Sequence, residues 1–238
     1  MNRPTFDRHW QEFTRSSQAA QDFRFALSPN HFQPELNDDT TTTGFSFCYV
    51  VHTGWAARVL MRTQPQEHVD ISSYVYFASI ASAIVPKFKF YDIRPAYIPL
   101  PGMETGAADL LALPFADNSI ESLSCLHVME HVGLGRYGDR LDATGDLKAA
   151  AELKRVLKPG GQLLMVLPMN QNPYVVFNAH RLYSHGQVMD MFAGLTVEEF
   201  AVVKHIGAKY ISPAQPSDII RGPHNVDDAG CFVFRKPK

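Results

Sequence analysis

Residues 109–168 read DLLALPFADNSIESLSCLHVMEHVGLGRYGDRLDATGDLKAAAELKRVLKPGGQLLMVLP. The run from about Glu121 to His127 is short, apolar and bounded by polar turns, as a buried strand is. A glycine-rich loop follows it. From about Thr144 to Leu157, Ala149, Leu153, Val156 and Leu157 recur on one helical face, while Lys148, Glu152, Lys154 and Arg155 fall elsewhere. Pro159-Gly160-Gly161 cannot continue that helix, and Gln162 to Leu167 is again a buried strand. Strand, helix and strand in this order make a β-α-β unit, and with it an α/β fold.

Working outward, 238 residues that are 45% hydrophobic suffice for one sizeable core. A 1–44 extension, with a helix over residues 4–24 and a Pro/Asn/Asp/Thr-rich linker over 28–44 able to act as a lid, precedes one domain at 45–238. The formal charge of −2 gives no basic footprint for nucleic acid. Cys48, Cys125 and Cys231 are odd in number and widely spaced, which points away from a disulfide framework or zinc ribbon and towards a reducing, cytoplasmic setting. The longest nearly uncharged apolar run, Tyr74 to Val85, is short of the ~20 residues that span a membrane. A small molecule is therefore the expected partner; the oligomeric state is not legible.

Upstream, the order of elements matters more than composition. A helix over 45–62 ends at Pro65; His68 to Ile71 forms a strand, Tyr74 to Ile84 a helix, and Lys87 to Tyr91 a second strand ending on Asp92. Downstream, Gln187 to Phe192 reads as a short helix, and Leu195 to Val203 and Gly230 to Arg235 as strands, with a proline-rich loop at 212–228 expected over the site. This predicts a doubly wound, mostly parallel sheet in a three-layer α/β/α, Rossmann-like arrangement.

The runs LPFADNSIESLSCLHVMEHV and ELKRVLKPGGQLLMVLP resemble the second half of a class I S-adenosylmethionine-dependent methyltransferase. HVDISS, YDIRP, SLSCLHVMEHVGLGRYGD and FNAHR together resemble, over roughly residues 50–235, a domain family of unknown function with that core. In doubly wound sheets, ligands bind outside the carboxyl ends of the strands, and an acid about 20 residues after the first turn takes the ribose hydroxyls. Asp70 and Asp92 both stand at expected strand ends. The resemblance adds Asp109, with Leu110 beside it, against the adenine. It implies S-adenosylmethionine as cofactor and methyl transfer to a small polar acceptor. One departure stands out. Where the resembled family has a GxGxG turn, this chain has Ser72, Ser73 and Tyr74; serine hydroxyls would then replace backbone contacts to the cofactor, or the side chains fill its methionine subsite. The second outcome is the alternative reading, a non-catalytic descendant that binds a nucleotide or partner.

For acceptor chemistry, His127 and His180 have the near-neutral ordinary pKa of a general base. The resemblance sets His127 over the cofactor, with Glu130 and His131 near the acceptor. Arg136 in the glycine loop is available to an anion, and Asn178 and Arg181, in a segment dense in Asn, His and Arg over residues 170–185, suit a polar pocket. Two competing motifs are present. His127-Val128-Met129-Glu130-His131 spells the HxxEH string of zinc hydrolases, but it leaves a strand and enters glycines, whereas that chemistry needs a long helix; no metal ligands are expected from it. Gly133-Leu134-Gly135-Arg136-Tyr137-Gly138 matches GxGxxG, yet it does not open a helix and reads as a flexible active-site loop.

Overall fold

The structure, a computed structural model, describes residues 1–22, 24–222 and 227–238. It divides into two compact units, Met1–Phe45 and Ser46–Lys238. In the first, α1 (Arg3–Ala19) starts where the Asn2 side chain accepts the Thr5 N–H at 3.0 Å, with Pro4 in the first turn. It ends five residues before the expected limit. Part of the linker folds back on it: the Phe32 ring meets Phe6 and Trp10 edge-on, at 5.2 and 4.8 Å between centroids.

The second unit holds α2 (Phe47–Thr63), β1 (Glu67–Ile71), α3 (Val75–Ala81), β2 (Lys87–Asp92), β3 (Met103–Ala107), β4 (Ile120–Leu126), α4 (Gly145–Val156) and β5 (Leu157–Met169). A hairpin of β6 (Tyr174–Val176) and β7 (His180–Leu182) follows. The chain closes with α5 (His185–Met191), β8 (Thr196–Lys204), β9 (Lys209–Ile211) and β10 (Asp228–Arg235). Eight strands form one sheet in the order β3-β2-β1-β4-β5-β10-β8-β9. The pairs from β3 to β5 are parallel, and β10 inserts antiparallel between β5 and β8. The order reverses between β1 and β4, which opens a crevice at their carboxyl ends.

Alternation along the central strands sends side chains to two cores. Leu163, Met165 and Leu167 of β5 pack with Ala149, Leu153 and Val156 of α4 and Val188 of α5. Leu164 and Val166 pack with Trp55, Val59 and Leu60 of α2 and Phe77 of α3. This is the three-layer α/β/α architecture.

Several elements differ from expectation. α4 stops at Val156, and Pro159-Gly160-Gly161 lies inside the start of β5, where the pairing to β4 shifts register. Gly161 has no room for a side chain: a Cβ there would lie 2.8–3.1 Å from the carbonyl oxygens of Lys158, Ile120 and Glu121. β3, with Gly106 and no buried residue, was not legible, because it is held as an edge strand by β2 rather than by an apolar run. The β6-β7 hairpin and β9 were also unread. Of the expected loop at 212–228, residues 223–226 lie outside the described residues. Among the described residues no helix is long and apolar enough to cross a membrane.

A chain of polar groups threads the sheet centre. Asp70 is buried; its Oδ1 accepts the Ser73 N–H at 3.1 Å and its Oδ2 accepts the Ser124 hydroxyl. With that proton committed, His68 Nε2–H donates to Ser124 Oγ at 2.8 Å, and His68 Nδ1 accepts from Ser122 Oγ at 2.7 Å. Gln162 then donates to Ser122 Oγ at 2.9 Å. Burial pulls His68 down to about 3, so it is neutral, and burial, opposed by the serine hydrogen bonds, pushes Asp70 from 3.8 up to about 6. Because the folded value exceeds the ordinary one, the folded state holds this proton more tightly, a contribution to stability present at low pH and lost as pH rises from about 4 to about 6. Asp70→Asn removes this term. Urea unfolding across that window should show the variant gaining stability relative to wild type as pH rises; a difference independent of pH would contradict the buried-carboxyl account.

Candidate active site

Two adjoining cavities lie at the carboxyl ends of β1, β2 and β4. The larger, about 530 Å³, is lined by Cys48, Tyr49, Ser73, Tyr74, Glu130 and His180, among others. The smaller, about 170 Å³, is lined by Ile93, Ala108, Asp109, Leu110 and Val128, among others. Ser72, Asp92 and His127 line both, so the two share a wall. A volume of this order is typical of small-molecule sites, which span about 300–1,000 Å³.

The conformation of the turn after β1 explains how a turn without glycines can border such a space. Ser72 has φ 58°, the left-handed conformation that glycine adopts freely. Its N–H donates to Tyr91 O at 2.7 Å and its hydroxyl to the same oxygen at 3.3 Å, which pins the turn to the end of β2. Ser73 Oγ accepts the Leu126 N–H at 3.0 Å, pinning it to β4. Both hydroxyls bond to the protein's own backbone, rather than being free to replace glycine contacts. His127, at the end of β4, has φ 56° as well. Two non-glycine residues held left-handed at adjacent strand ends are the kind of local strain found at functional sites.

Of the three strand-end carboxylates, Asp92 and Asp109 reach the cavities. Asp92 Oδ1 accepts the Arg94 N–H at 2.7 Å, and Asp109 Oδ1 the Leu111 N–H at 2.8 Å; both cap turns at the cavity rim. Asp70 lines neither cavity. Its carboxylate is spent beneath the turn, because a buried acid at that depth finds Ser73 and Ser124 before any ligand.

Glu130 is 1% exposed. Its Oε1 lies 3.0 Å from His127 Nδ1 and 3.7 Å from His131 Nε2, while Oε2 has no partner among the described residues. Burial alone would raise this carboxyl, but the hydrogen bond and charges of the two histidines bring it below its ordinary value, so it is ionised. Burial lowers His127, yet hydrogen bonding to Cys48 Sγ and Glu130, with their charges, pushes it up to about 10. An imidazole protonated at neutral pH is a poor proton acceptor, so the expectation of His127 as general base does not fit. His180 stays available: burial lowers its pKa, the Asp227 and Glu130 charges only partly offsetting this.

The remaining expectations divide. Arg136 lines the larger cavity and donates to Ala179 O at 3.0 Å. Asn178 is exposed in the β6-β7 turn and lines no described cavity. Arg181 is a structural residue: buried, it donates to Val132 O at 2.6 Å and to the carbonyls of Asp142 and Ala143 at 3.3 and 3.4 Å, and its Nε is 3.7 Å from Asp146 Oδ2. The glycine loop is likewise built rather than loose. Gly133, Gly135 and Gly138 all have positive φ, and the Asp139 carboxylate accepts the N–H groups of Gly133, Gly135 and Tyr137 at 2.7, 3.3 and 3.2 Å. The backbone nest that would hold a phosphate is filled by the chain's own acid. The HVMEH string forms only the short helical turn Met129–His131, and His131 Nδ1 contacts Ala179 O at 2.6 Å. The zinc hydrolase arrangement is not formed.

Sequence reading missed Cys48, Tyr49 and His52 on α2. Cys48 Sγ is 3.8 Å from both His52 Nδ1 and His127 Nε2, and the Tyr49 ring stacks on His127 at 5.6 Å. The only signal was the four-residue spacing of Cys48 and His52 on an expected helix.

Comparison with known structures agrees with this topology. NodS, an N-methyltransferase of Bradyrhizobium japonicum solved with S-adenosyl-L-homocysteine, superposes with a TM-score of 0.54 at 14% identity, over 81% of this chain and 88% of that one. The chain has the class I methyltransferase fold. The cyclase SpnF matches equally, at 0.54 and 14% identity over 78% of this chain and 79% of its own, so the fold does not by itself name a reaction. Residues 115–207 match the family described as Caenorhabditis protein of unknown function, DUF268. An uncharacterized protein of Methanocaldococcus jannaschii is 32% identical over 79 residues, so the match spans 32% of this chain and 29% of that protein.

Replacing Arg181 with Met should cost about 1–3 kcal/mol of stability in denaturant unfolding, because several backbone carbonyls lose a buried donor. If the variant instead keeps wild-type stability and only ligand binding weakens, Arg181 is a ligand contact after all.

Proposed function

We propose that the paired cavities bind S-adenosylmethionine and that the chain transfers its methyl group to a small polar acceptor. The observation that carries this reading is the shared wall of Ser72, Asp92 and His127 between a small cavity floored by Leu110 and a larger one open to polar groups. Leu110 and Ile93 supply apolar contact for an adenine, Asp109 an acceptor for its amino group, and Asp92, at the end of β2, an acceptor for ribose hydroxyls. When bound, the cofactor supplies an electrophilic methyl group on a sulfonium centre.

The chain's contribution to such a displacement is alignment and proton management. Tyr49 and Tyr74 flank the larger cavity and restrict its shape. The ionised Glu130 favours cationic groups nearby. His180, neutral and half-buried at the far side, takes a proton from an acceptor hydroxyl or amine. A second reading, binding without catalysis, is favoured by one observation: Tyr74, where the resembled family has a glycine, lines the larger cavity.

Calorimetry with S-adenosylmethionine and S-adenosylhomocysteine decides between them. Binding by wild type, weakened by about 1–3 kcal/mol in Asp92→Ala through loss of a buried polar partner, is expected. Absence of binding by either form at millimolar concentration would sink the methyltransferase reading. A further consequence concerns pH. Once an acceptor is found, kcat/KM should rise with pH through an apparent pKa below the ordinary histidine value of about 6.5, and His180→Gln should abolish that limb. An unchanged profile in the variant would remove His180 from the proton path.

A further inference from the structure

We propose that Cys48, His52 and His127 form a binding site for a divalent ion of the zinc type, with its fourth coordination position facing the larger cavity. The three donor atoms, Cys48 Sγ, His52 Nδ1 and His127 Nε2, lie within 4.8 Å of one another, and both sulfur–nitrogen distances are 3.8 Å. Tetrahedral zinc, with bonds of about 2.3 Å to sulfur and about 2.0–2.1 Å to nitrogen, separates its donors by roughly 3.3–3.6 Å. The thiolate pairs are within a few tenths of an ångström of that, and only the two imidazoles need draw together. One thiolate with two imidazoles is a donor set that suits zinc and its spectroscopic stand-in cobalt.

Three independent features belong to such a site. Glu130 Oε1 sits 3.0 Å from His127 Nδ1, on the side of the ring away from Cys48. A carboxylate behind a histidine is what orients metal-ligating imidazoles. His52 is 1% exposed, its Nε2 has no partner among the described residues, and its Nδ1 lies 3.8 Å from Cys48 Sγ, the ring also having a backbone hydrogen bond to Cys48. An ion on Nδ1 would replace a weak sulfur contact with a coordinate bond. The charges also close: one thiolate and Glu130 balance a divalent ion. Cys48 and His127 line the larger cavity and His52 does not, so an ion among them keeps one side towards the cavity, as catalytic zinc sites do. This set shares only His127 with the HVMEH string; both other ligands come from α2, one helical turn apart.

Binding is proton exchange. The ion takes the positions of the protons on Cys48 Sγ and His127 Nε2, which leave to solvent. It requires no S-adenosylmethionine, so its test is separate from that of the proposed reaction.

The test is a titration of the full chain, stripped with a chelator, with Co²⁺ and then Zn²⁺. Expected are one equivalent of cobalt per chain, a thiolate-to-cobalt charge-transfer band with the visible bands of tetrahedral cobalt, and their bleaching by zinc. Cys48→Ser should abolish the charge-transfer band, and Glu130→Gln should weaken binding by about 10–100-fold. Circular dichroism checks that each variant is folded. Because the wild type alone can decide, misfolding of a variant leaves the test intact: no band on cobalt addition, or zinc far below one equivalent after dialysis, overturns the site and leaves a thiol–imidazole pair. A band that survives in folded Cys48→Ser overturns it equally. Calorimetry with S-adenosylhomocysteine on the same stripped protein reports the cofactor reading apart from this one.

Discussion

The active end of this protein depends on one buried carboxyl. Asp70, at the end of β1, accepts the Ser73 N–H and the Ser124 hydroxyl, and so fastens the turn after β1 to β4 at the place where strand order reverses. Ser73 Oγ completes the link by accepting the Leu126 N–H. The crevice between two parallel strands exists in any doubly wound sheet, but its floor is only as defined as the turn that borders it. Here side-chain hydrogen bonds hold the turn in the shape that glycines adopt unaided elsewhere in this fold class. Ser72 adopts a left-handed backbone and is held there by two bonds to Tyr91 O.

Charge in the cavity follows from the same geometry. Glu130 is buried beside two histidines, and the favourable pairing with His127 outweighs the cost of desolvation for both groups. In the absence of any other ligand, both groups therefore favour their charged forms. His180 shifts the other way: burial lowers its pKa, and the Asp227 and Glu130 charges only partly offset this. Two histidines with the same intrinsic chemistry are shifted in opposite directions by their surroundings.

The loop over the site is held in place by hydrogen bonds for a comparable reason. The glycine-rich segment after β4 closes around Asp139, and its far end is held by Arg181 through the carbonyls of Val132, Asp142 and Ala143. Both are polar residues of the type that, in sequence, suggest ligand contacts. Each is used instead to satisfy backbone groups that a buried loop would otherwise leave unpaired.

What the sequence determined by itself was the layered α/β fold. Apolar runs at β1, β4 and β5, the 3.6-residue periodicity of α4 and the order of elements are local properties, and they sufficed to place Asp92 at a strand end; Asp109 came only with the family resemblance. Edge strand β3, the β6-β7 hairpin and the bulged start of β5 escaped, since each is defined by a neighbouring strand rather than by its own pattern. Side-chain roles were decided by tertiary structure alone. Whether Asp70 meets a ligand or a serine, and whether His127 is a base or an ion, depends on partners 54 and 79 residues away in the chain, Ser124 and Cys48. The cluster of Cys48, His52 and His127 joins one helix to a distant strand end, and no local spacing encodes the packing of α2 against that edge of the sheet.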